Sequence, residues 1–488
     1  MVVLLLRELV QLHILSTPDF VYPDERTGTG DIQQPIPARH ITLFPEESMK
    51  NALRYCSVLA LTLPLVHAQL TFTALGSLSG GGPTPVVGAN GMNSAGHVCG
   101  GSSFLDTTHA YLWKPFAPNG TVGAMMDLGA LIHPAGSNWS TCSAVSTWAP
   151  VGFGYYPAAM SYRALVFAGE TFLGASTTVP YLLPVPETPA TFVPNSYANA
   201  VNDAGVVVGS WTPESGIYHA MVWYPADTSS YSTADLNTPG FPGWILNTAT
   251  GVNKAGDIVG YGMNKGVIHG FLLSRGVITD LGSLSPGTPA DYSIATGLND
   301  KGQVVGYSTV VKPAGVFHHA FIWAAGTMTD LGVPALPGMP PMAAVTVAPP
   351  VPGPARVTAP AMPSPFTNSI AVAINNNGKI VGWSNTAPVG STAYEKTPYG
   401  WGTAVAYDMN SGAKAPGLST GWNLLGMPWV TAGAPVLPIG LPGGGAPALS
   451  SMIAAFAIND FDQIAGLYLK PGPLISAFLL TAPIPLKP

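Results

Sequence analysis

Internal repetition is the feature that most limits what this chain can fold into. The clearest unit runs from Ala295 to Tyr307, continues with His319-Ala320-Phe321-Ile322-Trp323 and a turn at Ala325-Gly326, and ends at Asp330-Leu331-Gly332. One unit upstream stand Asn253-Lys254-Ala255-Gly256, Val259-Gly260, His269-Gly270-Phe271 and Asp280-Leu281-Gly282. Earlier copies hold Asn202 to Gly205 with His219-Ala220-Met221-Val222-Trp223, and Asn93 to Gly96 with His109-Ala110-Tyr111-Leu112-Trp113 and Asp127-Leu128-Gly129. Two looser copies follow: Asn375 to Gly378 with Thr403-Ala404-Val405, and Asn459 with Gly466 and Ser476-Ala477-Phe478. A degenerate copy at Ala144-Val145, Val151-Gly152 and Arg163-Ala164-Leu165 keeps the apolar skeleton without the Asn. That makes seven.

Each unit reads as four strands. A short first strand of small and apolar residues meets an Asn-x-x-Gly hairpin turn, because Asn and Gly accept positive φ. The Val-Val-Gly strand follows, then the His-Ala-Phe strand, then an Ala-Gly or Arg-Gly turn into the Asp-Leu-Gly strand. Units of about 50 residues with four strands suit propeller blades. Composition agrees: 9% of residues are charged, and 57 Gly and 49 Pro punctuate bursts of Val, Thr, Tyr and Trp, the signature of short strands and tight turns. A repeat fold also lets a 488-residue chain avoid division into separate cores. The expected fold is therefore all-β: a closed propeller of about seven four-stranded blades over residues 69–488. The last unit stops after its third strand, whereas Leu70 to Leu78 resembles an orphan fourth strand. Pairing the two would close the ring and remove two open edges.

The N-terminus has a different character. From Met49 a short basic segment, an apolar run from Tyr55 to Leu65 and Val66-His67-Ala68 form a secretory signal-peptide pattern at 49–68, with Gln69 as the mature start. The apolar run is shorter than the ~20 residues a spanning helix needs. Residues 1–48 are expected to be a spurious extension of the gene, with Met49 the true initiator. The expected address is extracellular or cell-surface. Cys99 and Cys142 remain after cleavage, and an oxidising compartment allows them to pair; two buried thiols are the other reading.

These residues resemble the HAF-repeat family of probable extracellular proteins, whose units carry His-Ala-Phe before an apolar residue and Trp, then Asp-Leu-Gly. His319 to Trp323 with Asp330 to Gly332 match that pattern directly, the resemblance being strong at 197–332 and weak at 140–196 and 383–450. It implies an extracellular, propeller-like protein of bacterial type, with no established activity.

The candidate sites are weighed against this repeat. His109, His219, His269 and His319 could suggest a metal ring, but each occupies an equivalent place in its own blade. Thr403 and Ser476 replace it in two units, and a hydroxyl substitutes for a hydrogen bond better than for a zinc ligand. His318 is expected to face solvent. Asn93, Asn202, Asn253, Asn299, Asn375 and Asn459 are read as turn residues, since one or two carboxylates per turn fall short of the 6–8 oxygens calcium takes. Asp127, Asp280 and Asp330 are expected to bond locally. No cofactor or metal is expected.

The acids outside the repeat pattern, Asp106, Glu170, Glu187, Glu214, Asp291 and Glu395, are scattered. No serine elbow, zinc helix or phosphate loop is present. A net charge of −6 without basic runs gives nucleic acid no footing. Ligand surface must come from loops, and three irregular segments stand out at 172–196, 333–368 and 427–450. Trp401, Trp422 and Trp429 flank the last as possible ligand contacts. The function expected is a monomeric, non-enzymatic module binding a protein, glycan or cell-envelope component; an extracellular propeller hydrolase or lyase acting on polysaccharide is the alternative.

Overall fold

A computed structural model describes residues 71–78, 87–104, 107–132, 139–167, 180–189, 191–226, 230–334, 366–385, 403–409, 421–425, 452–470 and 474–481. All fall in the compact unit Val66–Pro488. The signal-peptide segment, residues 1–48, positions 172–179 and 190 of the first irregular segment, 335–365 of the second, all of 427–450, and Trp401 and Trp429 lie outside the described residues.

The strands form seven four-stranded antiparallel sheets. Blade 1 comprises β2 (Gly91–Met92), β3 (Val98–Phe104), β4 (Thr107–Pro115) and β5 (Gly123–Asp127). Blade 2 comprises β6 (Trp139–Val145), β7 (Pro150–Tyr156), β8 (Ser161–Val166) and β9 (Tyr181–Leu182). Blade 3 comprises β10 (Ser196–Val201), β11 (Val207–Trp211), β12 (His219–Pro225) and β13 (Tyr231–Asp235). Blade 4 comprises β14 (Trp244–Val252), β15 (Ile258–Asn264), β16 (Val267–Ser274) and β17 (Val277–Asp280). Blade 5 comprises β18 (Ser293–Leu298), β19 (Val304–Lys312), β20 (Gly315–Ala324) and β21 (Thr327–Gly332). Blade 6 comprises β22 (Asn368–Ile374), β23 (Lys379–Asn385), β24 (Thr403–Asp408) and β25 (Gly421–Leu424). Blade 7 joins β26 (Met452–Ile458), β27 (Ile464–Lys470) and β28 (Leu474–Thr481) to β1 (Thr71–Ala74) from the other end of the chain.

That last pairing closes the ring as the orphan-strand reading expects. β1 runs antiparallel to β28, with Thr71 opposite Thr481 and Ala74 opposite Phe478. Phe72 anchors it, its ring centroid 5.2 Å from Tyr468 and 6.0 Å from Phe478. The seven innermost strands neighbour one another in a continuous circle, β26 meeting β2. The protein is a seven-bladed β-propeller.

The motif residues explain how each blade is built. Six innermost strands carry a register shift, as between Ala295 and Gly297, that pushes a carbonyl toward the second strand. The Gly of Val-Val-Gly stands opposite: a Cβ on Gly306 would overlap the Ile294 carbonyl, and one on Gly209 the Tyr197 carbonyl. Only glycine fits there.

The Ala of His-Ala-Phe is fully buried and serves two neighbours. Its carbonyl accepts the Leu N–H of Asp-Leu-Gly, as Leu128 to Ala110 at 2.9 Å. Its own N–H donates to a buried serine on the first strand of the next blade: Ala110 to Ser140, Ala164 to Ser196 and Ala320 to Ser369, each 2.9 Å. Apolar residues on both sheet faces then fill the gaps between blades, for example Phe321 and Trp323 with Val259 and Leu281.

Strand alternation sorts the loops into two faces. Turns between the first and second strands, and between the third and fourth, lie on one end of the ring, the Asn-turn face. The remaining connections lie on the other, the loop face.

Candidate functional site

The repeated Asn residues do more than make turns. In five of the six turns the Asn Oδ1 accepts backbone N–H groups two and four residues on, as Asn299 does from Lys301 and Gln303 at 3.1 Å each, and Asn253 accepts the latter from Asp257. The Nδ2 then reaches out of the blade to the backbone carbonyl of the corresponding residue in the next. Asn202 donates to Asn253 (2.9 Å), Asn253 to Asn299 (3.3 Å), Asn299 to Asn375 (3.1 Å), Asn375 to Asn459 (2.9 Å), and Asn459 to Asn93 (3.2 Å). Asn93 donates to Ser146, the degenerate blade's equivalent, at 3.0 Å. The six Asn side chains are buried, so this girdle satisfies amide groups that would otherwise be costly to bury.

The residue after the Asn adds a second, outer set of links over blades 4 to 7 in the same order, the backbone now donating and the next blade's side chain accepting. Lys254 N–H donates to Asp300, Asp300 N–H to Asn376, and Asn376 N–H to Asp460, at 2.7–2.9 Å. These groups surround a cavity of about 220 Å³ at the channel mouth on the Asn-turn face. Much of the mouth's polar chemistry is thus spent on the ring's own bonds.

Blade 2 is where the girdle breaks, because Ser146 has no amide to pass on. Two other links bridge its flanks. Thr147 N–H and Oγ1 both donate to Asp203 of blade 3, at 2.8 and 2.7 Å. On the other side Cys99 of β3 is paired with Cys142 of β6 as a disulfide, their Cα atoms 5.6 Å apart.

The His and Asp of each unit meet inside their own blade. His109 Nδ1 bonds Asp127 at 3.0 Å, His219 bonds Asp235 at 2.7 Å, and His269 and His319 bond Asp280 and Asp330 at 2.9 Å. Asp235 is thus a repeat residue alongside the three Asp read from the sequence. No group of three or more His, Cys, Asp or Glu that could hold a metal occurs among the described residues.

Two copies carry extra partners. His269 Nε2 also bonds Asp291 at 2.9 Å, so the ring lies between two carboxylates whose hydrogen bonds hold its pKa above the ordinary value. Lys312 Nζ lies 2.9 Å from His319 Nε2; an ammonium has no lone pair, so Nε2 accepts and Nδ1 donates to Asp330. Of the off-pattern acids, Asp291 is drawn into the repeat network and is also bonded by Ser283 at 2.5 Å. Glu187 and Glu214 are exposed on separate loops, and Asp106, Glu170 and Glu395 lie outside the described residues.

His318 departs from the solvent-facing expectation. Its ring stacks on Tyr292 at 5.9 Å and lies 5.0 Å from Tyr307, and burial drives its pKa down to about 4. The next blade's edge supplies the cover: His318 N–H donates to Asn368 Oδ1 of β22.

The loop face of blades 2 to 4 holds the aromatic surface. Trp139, Phe153, Tyr155 and Tyr162 of blade 2 continue through Tyr197 into blade 3 and on to Tyr218, with successive ring centroids 4.9–6.1 Å apart. The first five are half-buried and Tyr218 is exposed. Beside Tyr218 opens a cleft of about 470 Å³ between blades 3 and 4, lined by Ile217, His219, Asn237, Phe241, Trp244 and Ile245.

This array was missed by the motif search because it sits in the degenerate copy. Its signal was the density of aromatics in one copy, Trp139, Phe153, Tyr155 and Tyr162 on alternating positions of three neighbouring strands. Trp422, one of the three Trp singled out, lies in β25 opposite Tyr407 in register.

The fold and these surfaces define a seven-bladed propeller with an aromatic, cleft-bearing loop face. Compared with known proteins, the chain matches no family model and no curated sequence.

Proposed function

We propose that this chain is an exported, non-enzymatic binding propeller of the HAF-repeat type that holds a glycan across the loop face of blades 2 to 4. The carrying observation is the continuous aromatic array from Trp139 to Tyr218 opening on the cleft at Trp244. Half-buried and exposed rings offer apolar stacking area at the cleft, whose wall Asn237 fixes through its paired bonds to the Leu246 backbone. Patches of this kind on a soluble surface mark interaction sites.

Three further points support the reading. The repeated His, Asp and Asn are engaged in the blades' own hydrogen bonds, which leaves recognition to the non-repeating surface. The His-Ala-Phe and Asp-Leu-Gly units resemble extracellular repeat proteins. The signal-peptide pattern at 49–68 fits the same address.

The test is a glycan-array and hydrolysis screen on the purified chain. Saturable binding of a polysaccharide without turnover, weakened by Trp139→Ala and Tyr218→Ala, is the expected result. Turnover of any polysaccharide would overturn the non-enzymatic reading, and absence of glycan binding would overturn the ligand class.

A further inference from the structure

The His–Asp pair of the repeat behaves as a unit across the seven blades. In register, the Asp stands opposite the residue two after the His: Asp127 opposite Tyr111, Asp235 opposite Met221, Asp280 opposite Phe271 and Asp330 opposite Phe321. Where the His is lost, the acid is lost with it. Blade 6 has Thr403, with Leu424 at the Asp place, and blade 7 has Ser476, with Ala74 there. Neither keeps a charge.

Blade 2 is the exception. Arg163 stands at the His place, while Leu182 occupies the Asp place opposite Leu165. A fixed cation stands where the siblings have His and the facing carboxylate is gone, and Arg163 makes no ion pair among the described residues. Its Nε is buried without a hydrogen-bond partner, as are Tyr156 Oη and Ser161 Oγ.

These three orphaned atoms share a place. Tyr156 lies opposite Ser161 and Gly154 opposite Arg163, so strand alternation puts all three side chains on one face of blade 2, at its loop-face end. Ser161 is 1% exposed. Burial raises the Tyr156 pKa, and the charge on Arg163 opposes that rise, as two groups near one another require. Leu165 and Phe167, on the same face, pack against Cys99 and Leu112, so the group looks toward blade 1. Tyr162 points the other way, into the aromatic array.

An Arg N–H and two hydroxyls form a donor set, and burying polar atoms without partners is costly. A ligand that satisfies all three must be rich in lone pairs, and a guanidinium that pairs with no carboxylate among the described residues asks that it be negative. We propose that Tyr156, Ser161 and Arg163 form a site for the anionic group of an acidic glycan, a carboxylate or a sulfate ester. The glycan part rests on the function proposed above; the anion part rests on blade 2 alone. The chain's net charge of −6 repels acidic polymers in general, so a preference for them has to be local.

The test compares wild type, Arg163→Gln and the double variant Arg163→His/Leu182→Asp, which rebuilds the pair of the sibling blades and so guards the fold. Binding to polygalacturonate, dextran sulfate and neutral dextran is measured by calorimetry. Wild type should bind one of the acidic polymers at least tenfold more tightly than the neutral one, and which one separates carboxylate from sulfate. Both variants should lose that preference. Equal binding of acidic and neutral polymers, or a preference that survives in both variants, overturns the site.

If no polymer binds at all, the glycan reading fails while the anion site is still decided by thermal shift. Galacturonate or sulfate at millimolar concentration should then raise Tm in wild type but not in Arg163→Gln. An unchanged Tm would mean that water alone fills the site.

Discussion

Asn459 of the last blade donates its Nδ2 to the backbone carbonyl of Asn93 in the first, at 3.2 Å. This bond is the same one made between consecutive blades elsewhere, so the chain ends are sealed on the inner side by the repeat itself and on the outer side by β1.

The girdle gives a first expectation. Asn299→Ala removes one inter-blade bond, two turn bonds and the bond to Gln303 Oε1, and should lower stability by about 1–3 kcal/mol. Asn299→Asp keeps the turn acceptor but sets a buried carboxylate oxygen against the carbonyl of Asn375, and should cost at least as much as Ala. Denaturant midpoints check the order; an Asp variant as stable as wild type would remove the inter-blade bond from the account.

The ring closure gives a second. Phe72→Ala strips β1 of its contacts with Tyr468 and Phe478 and should cost about 2–4 kcal/mol, with faster proteolysis near residues 71–78. Limited proteolysis followed by mass spectrometry reads the site of opening.

The disulfide gives a third. Cys99 and Cys142 are 43 residues apart, and constraint of a loop of that length should contribute about 2–4 kcal/mol. The double Cys→Ser variant should melt earlier by a matching amount, and non-reducing peptide mapping should recover the linked pair. Its position beside the broken girdle predicts that unfolding of the variant begins between blades 1 and 2, read by hydrogen exchange.

Two histidines predict opposite pH slopes. His269 has a raised pKa, set first by its bond to Asp280, so its contribution is complete below about 6.5 and is lost as pH rises through the folded value. His318 has a pKa of about 4, set by burial. There the unfolded state takes up the proton first, so stability falls as pH drops from about 6.5 toward 4. His269→Gln should therefore flatten the alkaline side of a Tm–pH profile, and His318→Phe the acidic side. Histidine NMR titration checks both directions independently.

The blades were legible in the sequence because the turn Asn, the bulge-facing Gly and the buried Ala each answer a local demand that recurs in at least six of the seven blades. Even blade 2 could be traced, since Val151, Gly152 and Leu165 keep the apolar skeleton. What Asn Nδ2 does was not legible: its acceptor lies a blade away, and only the rotation between neighbouring sheets brings it within reach. His318 was misread for a similar reason, since alternation turns it off its own sheet but Tyr292 and β22 then cover it. The aromatic array and Arg163 escaped because they are departures from the repeat, and a search for sameness discards them.

The pairing of β1 with β28 also sets a timetable. The first strand of the propeller to leave the ribosome is complementary to the last, across a separation of about 400 residues whose closure costs entropy before any contact rewards it. Six blades can assemble as they emerge, but the seventh must wait, and until then both ends of the arc present unpaired edges. A chain halted before residue 474 would therefore be nearly built yet open, and a circular permutant cut between blades 4 and 5 would move that vulnerable interval elsewhere without altering the finished ring.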